Sequence, residues 1–218
     1  MKREKLRYFF SAIAILAAFI LWTAAICCMD VQAIGPQQST VGFATINQYM
    51  HDLTGVYMGL YTITDWLALV PLGFAMGFGI LGLVQWIKRR QLRKVDPSIL
   101  ILGGFYVVVM GAYLLFEEVV INYRPVLIDG ILEASYPSST TMLVLCVMPT
   151  AMLQLRGRIK NIFLKRCVIS VITAFIAFMV IARLISGVHW FTDIIGGILL
   201  STGLVLMYHW LCICSKQT

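Results

Sequence analysis

Arg183, His189 and Asp193 fall in one short stretch, Arg-Leu-Ile-Ser-Gly-Val-His-Trp-Phe-Thr-Asp. His189 and Asp193 are four apart, so on a helix they share a face one turn from each other. A carboxylate there accepts a hydrogen bond from one imidazole nitrogen and leaves the other as a nucleophile or base. Ser186-Gly187 supplies a turn and a candidate N-cap, which would put His189 in the first turn of a helix. Free backbone N–H groups and the positive end of the dipole face an anion at such a place. Arg183, before the turn, can fold back and hold a phosphate through two parallel hydrogen bonds.

Two further segments carry related chemistry. One is Glu117-Glu118-Val-Val-Ile-Asn122-Tyr123-Arg124-Pro125, where Arg124 adds a second cation fixed by the proline beside it. The other is Tyr136-Pro137-Ser138-Ser139-Thr140-Thr141. Pro137 suits a helix start and Ser138 is a candidate N-cap. The amides and hydroxyls of Ser139, Thr140 and Thr141 can then point at phosphate oxygens. Glu117 and Glu118 are open to several readings: an ion pair with Arg124, a cation site, or neither.

The elements that must position these groups are membrane helices. Of 218 residues, 60% are hydrophobic and 12% are charged, about half the charge of a soluble domain. Six apolar runs stand out, at about 8–29, 60–87, 99–121, 138–155, 167–185 and 190–214, and about 20 residues suffice to span the hydrocarbon core. The expected fold is all-α: a polytopic membrane protein, a six-transmembrane-helix bundle forming a single membrane domain over residues 1–218. The first run is too long for a cleavable leader and reads as a retained helix. Residues 30–59 are polar and could hold a short interfacial helix. The glycines from Gly73 to Gly82 read as close helix packing rather than a phosphate loop.

Net charge is +7, yet its distribution excludes a nucleic-acid partner. Lys and Arg cluster before residue 8, at 88–94, at 156–166 and at Lys216, all on one side of the expected topology. That side is assigned as cytoplasmic, with both termini there. Arg124 and Arg183 alone lie opposite, so something other than topology keeps them there. The six cysteines lie in apolar runs or at their ends, without metal-ligand spacing against histidine.

In this order and spacing the residues resemble the type 2 phosphatidic acid phosphatase (PAP2) superfamily of membrane lipid phosphatases, over about residues 55–214. Arg183-x5-His189-x3-Asp193 is similar to its third signature. Arg124-Pro125 matches the end of the first, and Pro137-Ser138 the start of the second. The resemblance implies a metal-independent, cofactor-free phosphatase acting on a lipid phosphate or diphosphate at the extracytoplasmic face. It implies His189 as the nucleophile of a phosphohistidine intermediate and Asp193 as its orienting partner. Arg124 and Arg183 would bind phosphate with Ser138, Ser139 and Thr140. There are departures: Glu117 stands where the family has lysine, Thr140 where it has a histidine, and Ala182 where it has a serine. Threonine is no general acid near neutral pH, which favours a diphosphate such as a polyprenyl diphosphate, whose phosphate leaving group needs no protonation. His51, Glu117, Glu118 and Glu133 are other possible proton donors. The alternative is a catalytically impaired relative that binds or moves phospholipid headgroups.

Overall fold

The computed structural model describes residues 2–215; Lys216, counted above with the cytoplasmic cluster, lies outside the described residues. Eight helices follow one another: α1 (Lys2–Cys28), α2 (Ala44–Thr54), α3 (Met58–Leu67), α4 (Leu69–Arg89), α5 (Pro97–Glu118), α6 (Ser139–Arg158), α7 (Ile162–Ile185) and α8 (Phe191–Ser215). Helices α3 and α4 make up one membrane span, Met58–Arg89. The break between them has a cause in sequence: Pro71 has no N–H to give to the Leu67 carbonyl. With that pair counted once, α1, α3–α4, α5, α6, α7 and α8 are the six expected crossings. The protein is an all-helical, multi-pass membrane bundle.

Five of those stretches are long and apolar enough to cross a membrane by composition alone, and α6 is the exception. Its environment explains this. It packs against α4, α5, α7 and α8 and buries Thr140, Thr141, Thr150 and Gln154 together with Val144, Cys146 and Met148. A helix surrounded by protein needs no continuous apolar face toward lipid. Its polar groups are partnered: the Thr150 hydroxyl donates to the Cys146 carbonyl at 2.8 Å, and the Gln154 amide nitrogen donates to the Ser98 carbonyl at 3.1 Å.

The glycines of α4 correct one expectation. A Cβ built on Gly73, Gly77 or Gly79 meets nothing within 4 Å. These positions are therefore open rather than seats of close helix packing, and only Gly82 approaches a neighbour, with Ile99 Cγ2 at 3.0 Å. The close approaches lie elsewhere. A Cβ on Gly42 would come within 1.7 Å of the Ile26 carbonyl, where the loop after α1 folds against the end of that helix.

The two ends of the bundle differ. At one, Arg158 pairs with Asp96 at 2.8 Å and ties the end of α6 to the start of α5. Lys88 and Arg89 at the end of α4, and Lys165 and Arg166 in the first turns of α7, sit at that same end. At the other end, α2 and the loop 119–138 lie over the starts of α6 and α8. Asn47 of α2 docks there, its side-chain amide donating to the Gly42 carbonyl at 2.8 Å and to Thr192 Oγ1 at 2.9 Å. The segment after α2 seats on the turn between α7 and α8, where the Tyr57 N–H donates to the Ser186 carbonyl at 3.0 Å.

Gly187 at that turn has φ +68°, and a Cβ on it would lie 2.0 Å from the Gly55 carbonyl oxygen. Both the dihedral and the backbone contact demand glycine. Gly187→Ala should therefore destabilise the bundle by about 2 kcal/mol or more, read as a lowered thermal midpoint of the detergent-solubilised protein and lost ligand binding.

Candidate active site

The site forms where three chain segments meet, and Asp193 is its hub. This carboxylate is fully buried. Its Oδ1 accepts from Asn122 Nδ2 at 3.2 Å, and its Oδ2 accepts from the Trp190 N–H at 2.9 Å and from the Ser135 hydroxyl in a short contact. Its backbone carbonyl accepts from the Ser138 N–H at 3.1 Å. One residue at the start of α8 thus joins the loop before Arg124, the strand-like segment before α6 and the first turn of α6.

His189 stands beside this hub, 3% exposed. Its Nδ1 lies 3.0 Å from Ser135 Oγ and 3.1 Å from the Ser135 carbonyl, but 3.9 Å from Asp193 Oδ2. The direct histidine–carboxylate bond expected from the four-residue spacing is therefore relayed through Ser135. The reason is local. Helix α8 begins at Phe191, so His189 precedes it rather than occupying its first turn. Ser186 likewise ends α7 instead of capping α8, donating its hydroxyl to the Arg183 carbonyl at 2.7 Å.

The partners assign the tautomer. The Ser135 carbonyl can only accept, so Nδ1 carries the hydrogen and donates to it. Ser135 Oγ passes its own hydrogen to Asp193. Nε2 is left with its lone pair, 3.4 Å from Arg124 Nη1. Burial, then the charges of Arg124 and Arg183, hold the imidazole pKa well below the ordinary 6.5, against the pull of the Ser135 carbonyl. A neutral imidazole with a free Nε2 is the form that attacks an electrophile.

Arg124 and Arg183 do come together. Both guanidinium groups lie against the ring of Tyr61 on α3, at 6.0 Å and 4.8 Å from its centroid. Arg183 is 1% exposed and donates from Nη1 to Thr64 Oγ1 at 3.1 Å. Its Nε is buried without a partner among the described residues. Arg124 is 8% exposed and its Nε is 3.0 Å from Glu133 Oε2. That pair is close but not aligned as a hydrogen bond, which leaves the same Nε–H unsatisfied. Two buried, under-satisfied guanidinium groups beside a nucleophilic nitrogen suit an oxyanion. Among the open readings of the glutamates, Glu133 rather than Glu117 or Glu118 is the ion-pair partner of Arg124.

Ser138, Ser139 and Thr140 are placed at the start of α6, as their sequence suggests. Ser138 is fully buried and accepts from Thr141 Oγ1 at 3.0 Å, making no side-chain cap. Ser139 lines a tight cleft of about 10 Å³ together with His189, Ser135, Tyr113 and Glu117. Thr140 faces, with Ser139, an adjoining apolar groove. His51 sits at the edge, its ring 5.6 Å from that of Trp190.

Sequence reasoning missed Ser135, Tyr61, Thr64 and the bracing role of Asn122. A serine two residues before Pro137 was the available signal for the first. Nothing in the spacing marked Tyr61 or Thr64, which reach Arg183 only because α3 packs on α7.

A helical membrane bundle with a histidine and two arginines buried together at one end is the class this geometry defines. Comparison with known proteins makes it specific. A family model, the PAP2 superfamily, matches residues 68–213, and the chain belongs to that superfamily. A solved structure resembles it over nearly its whole length: the first transmembrane PAP2 type phosphatidylglycerolphosphate phosphatase from Bacillus subtilis. The two share 19% identity at a TM-score of 0.56, covering 95% of this chain and 97% of that one, which establishes the shared fold. No curated protein sequence matches.

Two outcomes follow from the Ser135 relay and from the depressed imidazole. Ser135→Ala should lower kcat of phosphate release about tenfold to a hundredfold with little change in KM, since a misplaced nucleophile costs on that scale. The acid limb of kcat/KM should lie below pH 6.5, because His189 stays neutral there. Arg124→Gln removes a nearby positive charge, so in a pH series that limb should move up, on a lower plateau, relative to wild type with the same substrate.

Proposed function

We propose that the protein is a membrane lipid phosphatase that works through His189. The observation that carries this reading is the neutral imidazole, its Nδ1 held by Ser135 and Asp193 and its Nε2 turned toward Arg124. Nε2 attacks the terminal phosphorus of the substrate while Arg124 and Arg183 balance the charge on the non-bridging oxygens. A P–N bond forms, the bridging P–O bond breaks, and the leaving group departs with the bond's electron pair. Water then attacks the phosphohistidine, releases inorganic phosphate and restores the imidazole. Ser139 and Thr140, at the start of α6, bind the phosphate from the other side through hydroxyls and helix-end amides. No step calls on a metal or cofactor.

The preferred substrate is a diphosphate lipid, such as a polyprenyl diphosphate. A missing general acid typically costs 10²–10⁴-fold for an alkoxide leaving group. Thr140 offers no such acid, and the Glu133 carboxyl is engaged by Arg124, Nε to Oε2 at 3.0 Å. A diphosphate escapes this penalty because its leaving group is already a stable phosphate. The basic clusters at the opposite end of the bundle support a site on the extracytoplasmic face, with both termini in the cytoplasm.

Phosphate release measured on purified protein over monophosphate and diphosphate lipids tests the reading. Release from a polyprenyl diphosphate should exceed that from phosphatidic acid about a hundredfold, and His189→Ala should abolish it. Equal or faster turnover of phosphatidic acid would refute the diphosphate preference. Headgroup binding that survives with no phosphate release from any lipid would instead identify a non-hydrolytic relative.

A further inference from the structure

The reaction has a second half, and one side chain is placed to serve it. Once His189 carries the phosphoryl group, water must attack the phosphorus, and water is a weak nucleophile until a base takes its proton. A missing base costs about 10²–10⁴-fold. Thr140 is no base, and the Glu133 carboxyl is engaged by Arg124 at 3.0 Å. Asp193 is taken up by Asn122, Ser135 and the Trp190 N–H.

The cleft at His189 holds the remaining candidate. Its lining runs from His189 past Ser135 and Ser139 to Tyr113 and Glu117 in the last two turns of α5. Its volume of about 10 Å³ gives room for about one water molecule. Ser139, Tyr113 and Glu117 supply the roughly three polar partners that an ordered water takes. Of the lining side chains, only His189 and Glu117 can take up a proton. In this half of the reaction His189 Nε2 is bonded to phosphorus, which leaves Glu117.

The stability of the fold does not account for an acid at this position. Glu117 lies in the last turn of α5, where the helix dipole disfavours a carboxylate. It forms no ion pair among the described residues. Tyr113, one turn back, is its hydrogen-bond partner, which keeps the carboxyl on the face of α5 that lines the cleft. Glu117 is otherwise exposed, so a proton taken from the cleft has a way out to solvent.

We propose that Glu117 is the general base of the dephosphorylation step, acting on one water held in this cleft. The proposal rests on the lipid phosphatase reading and adds the group that its second step requires. Glu117 takes a proton from the water as the water oxygen bonds to phosphorus on the face that the leaving group has left. The P–N bond breaks, its electron pair returns to Nε2, and inorganic phosphate departs. Glu117 then gives the proton to solvent. The first step has no need of this base, because a diphosphate lipid expels a phosphate.

The test separates the two halves. Purified Glu117→Gln, mixed with a polyprenyl diphosphate labelled in its terminal phosphate, should release a burst of polyprenyl monophosphate as wild type does. Steady-state release of inorganic phosphate should then run about a hundredfold slower than in wild type. Label should stay on the protein in the acid-labile, alkali-stable form of a phosphohistidine. Hydroxylamine attacks phosphorus without help from a base, so adding it should discharge that label. Glu117→Ala should behave alike, so the outcome does not hang on one replacement. Wild-type turnover in both variants would overturn the proposal. Loss of the burst along with the turnover would place Glu117 in phosphate binding or folding, and overturns it too. Should wild type neither take up label nor release phosphate from any lipid, the hydrolytic reading itself falls and the proposal with it. That outcome shows in the wild type, before any substitution is made.

Discussion

A carboxylate buried in a membrane bundle is the constraint around which this end of the molecule is built. An isolated charge in a low-dielectric interior costs several kcal/mol, and only full hydrogen bonding offsets it. Asp193 receives that bonding from Asn122, Ser135 and the Trp190 N–H, and gives its own carbonyl to Ser138. Each donor belongs to a different stretch of chain. Satisfying one charge therefore fixes the loop after α5, the entry to α6 and the turn before α8 at once. His189 is placed as a consequence, since the serine that satisfies Asp193 also meets its Nδ1.

The same end is locked by packing as well as by charge. Tyr136 is 1% exposed and lies over Gly196 of α8, where a Cβ would come within 2.3 Å of its ring. Its hydroxyl meets Thr23 Oγ1 of α1 at 2.7 Å, and its ring stacks on Phe19 at 6.2 Å. So α1, which contributes no side chain to the pocket, holds the residue beside Ser135. Trp190 makes the reciprocal contact, donating from Nε1 to the Tyr123 carbonyl at 2.7 Å, next to Arg124. The histidine–arginine constellation stands on rigid neighbours, as precise placement of reacting groups requires.

Much of this was readable before any coordinates. The apolar runs and the three polar segments in register carried the bundle and the meeting of Arg124, Arg183, His189 and Asp193. What stayed hidden has physical reasons. Helical spacing suggested a direct His189–Asp193 bond, but the helix starts two residues later and a serine fills the gap; a loop serine looks like any other. Nothing in the sequence marked Tyr61, whose ring meets both guanidinium groups because α3 packs on α7. The glycines of α4 carried the spacing of helix packing, and spacing cannot distinguish a glycine that admits a neighbouring helix from one on an open face.

That last ambiguity bears on how a membrane enzyme can discriminate at all. In water, a longer apolar tail binds more tightly because more surface is dehydrated. In a bilayer this advantage vanishes, since the surrounding chains are as apolar as the protein wall. The headgroup pocket cannot recover the difference: Glu133 already offsets part of the charge of Arg124, and Thr140 brings no ionisable group. Discrimination between lipids that share a phosphate must then come from shape along the path of the tail, in the dispersion contacts won or lost against fixed walls.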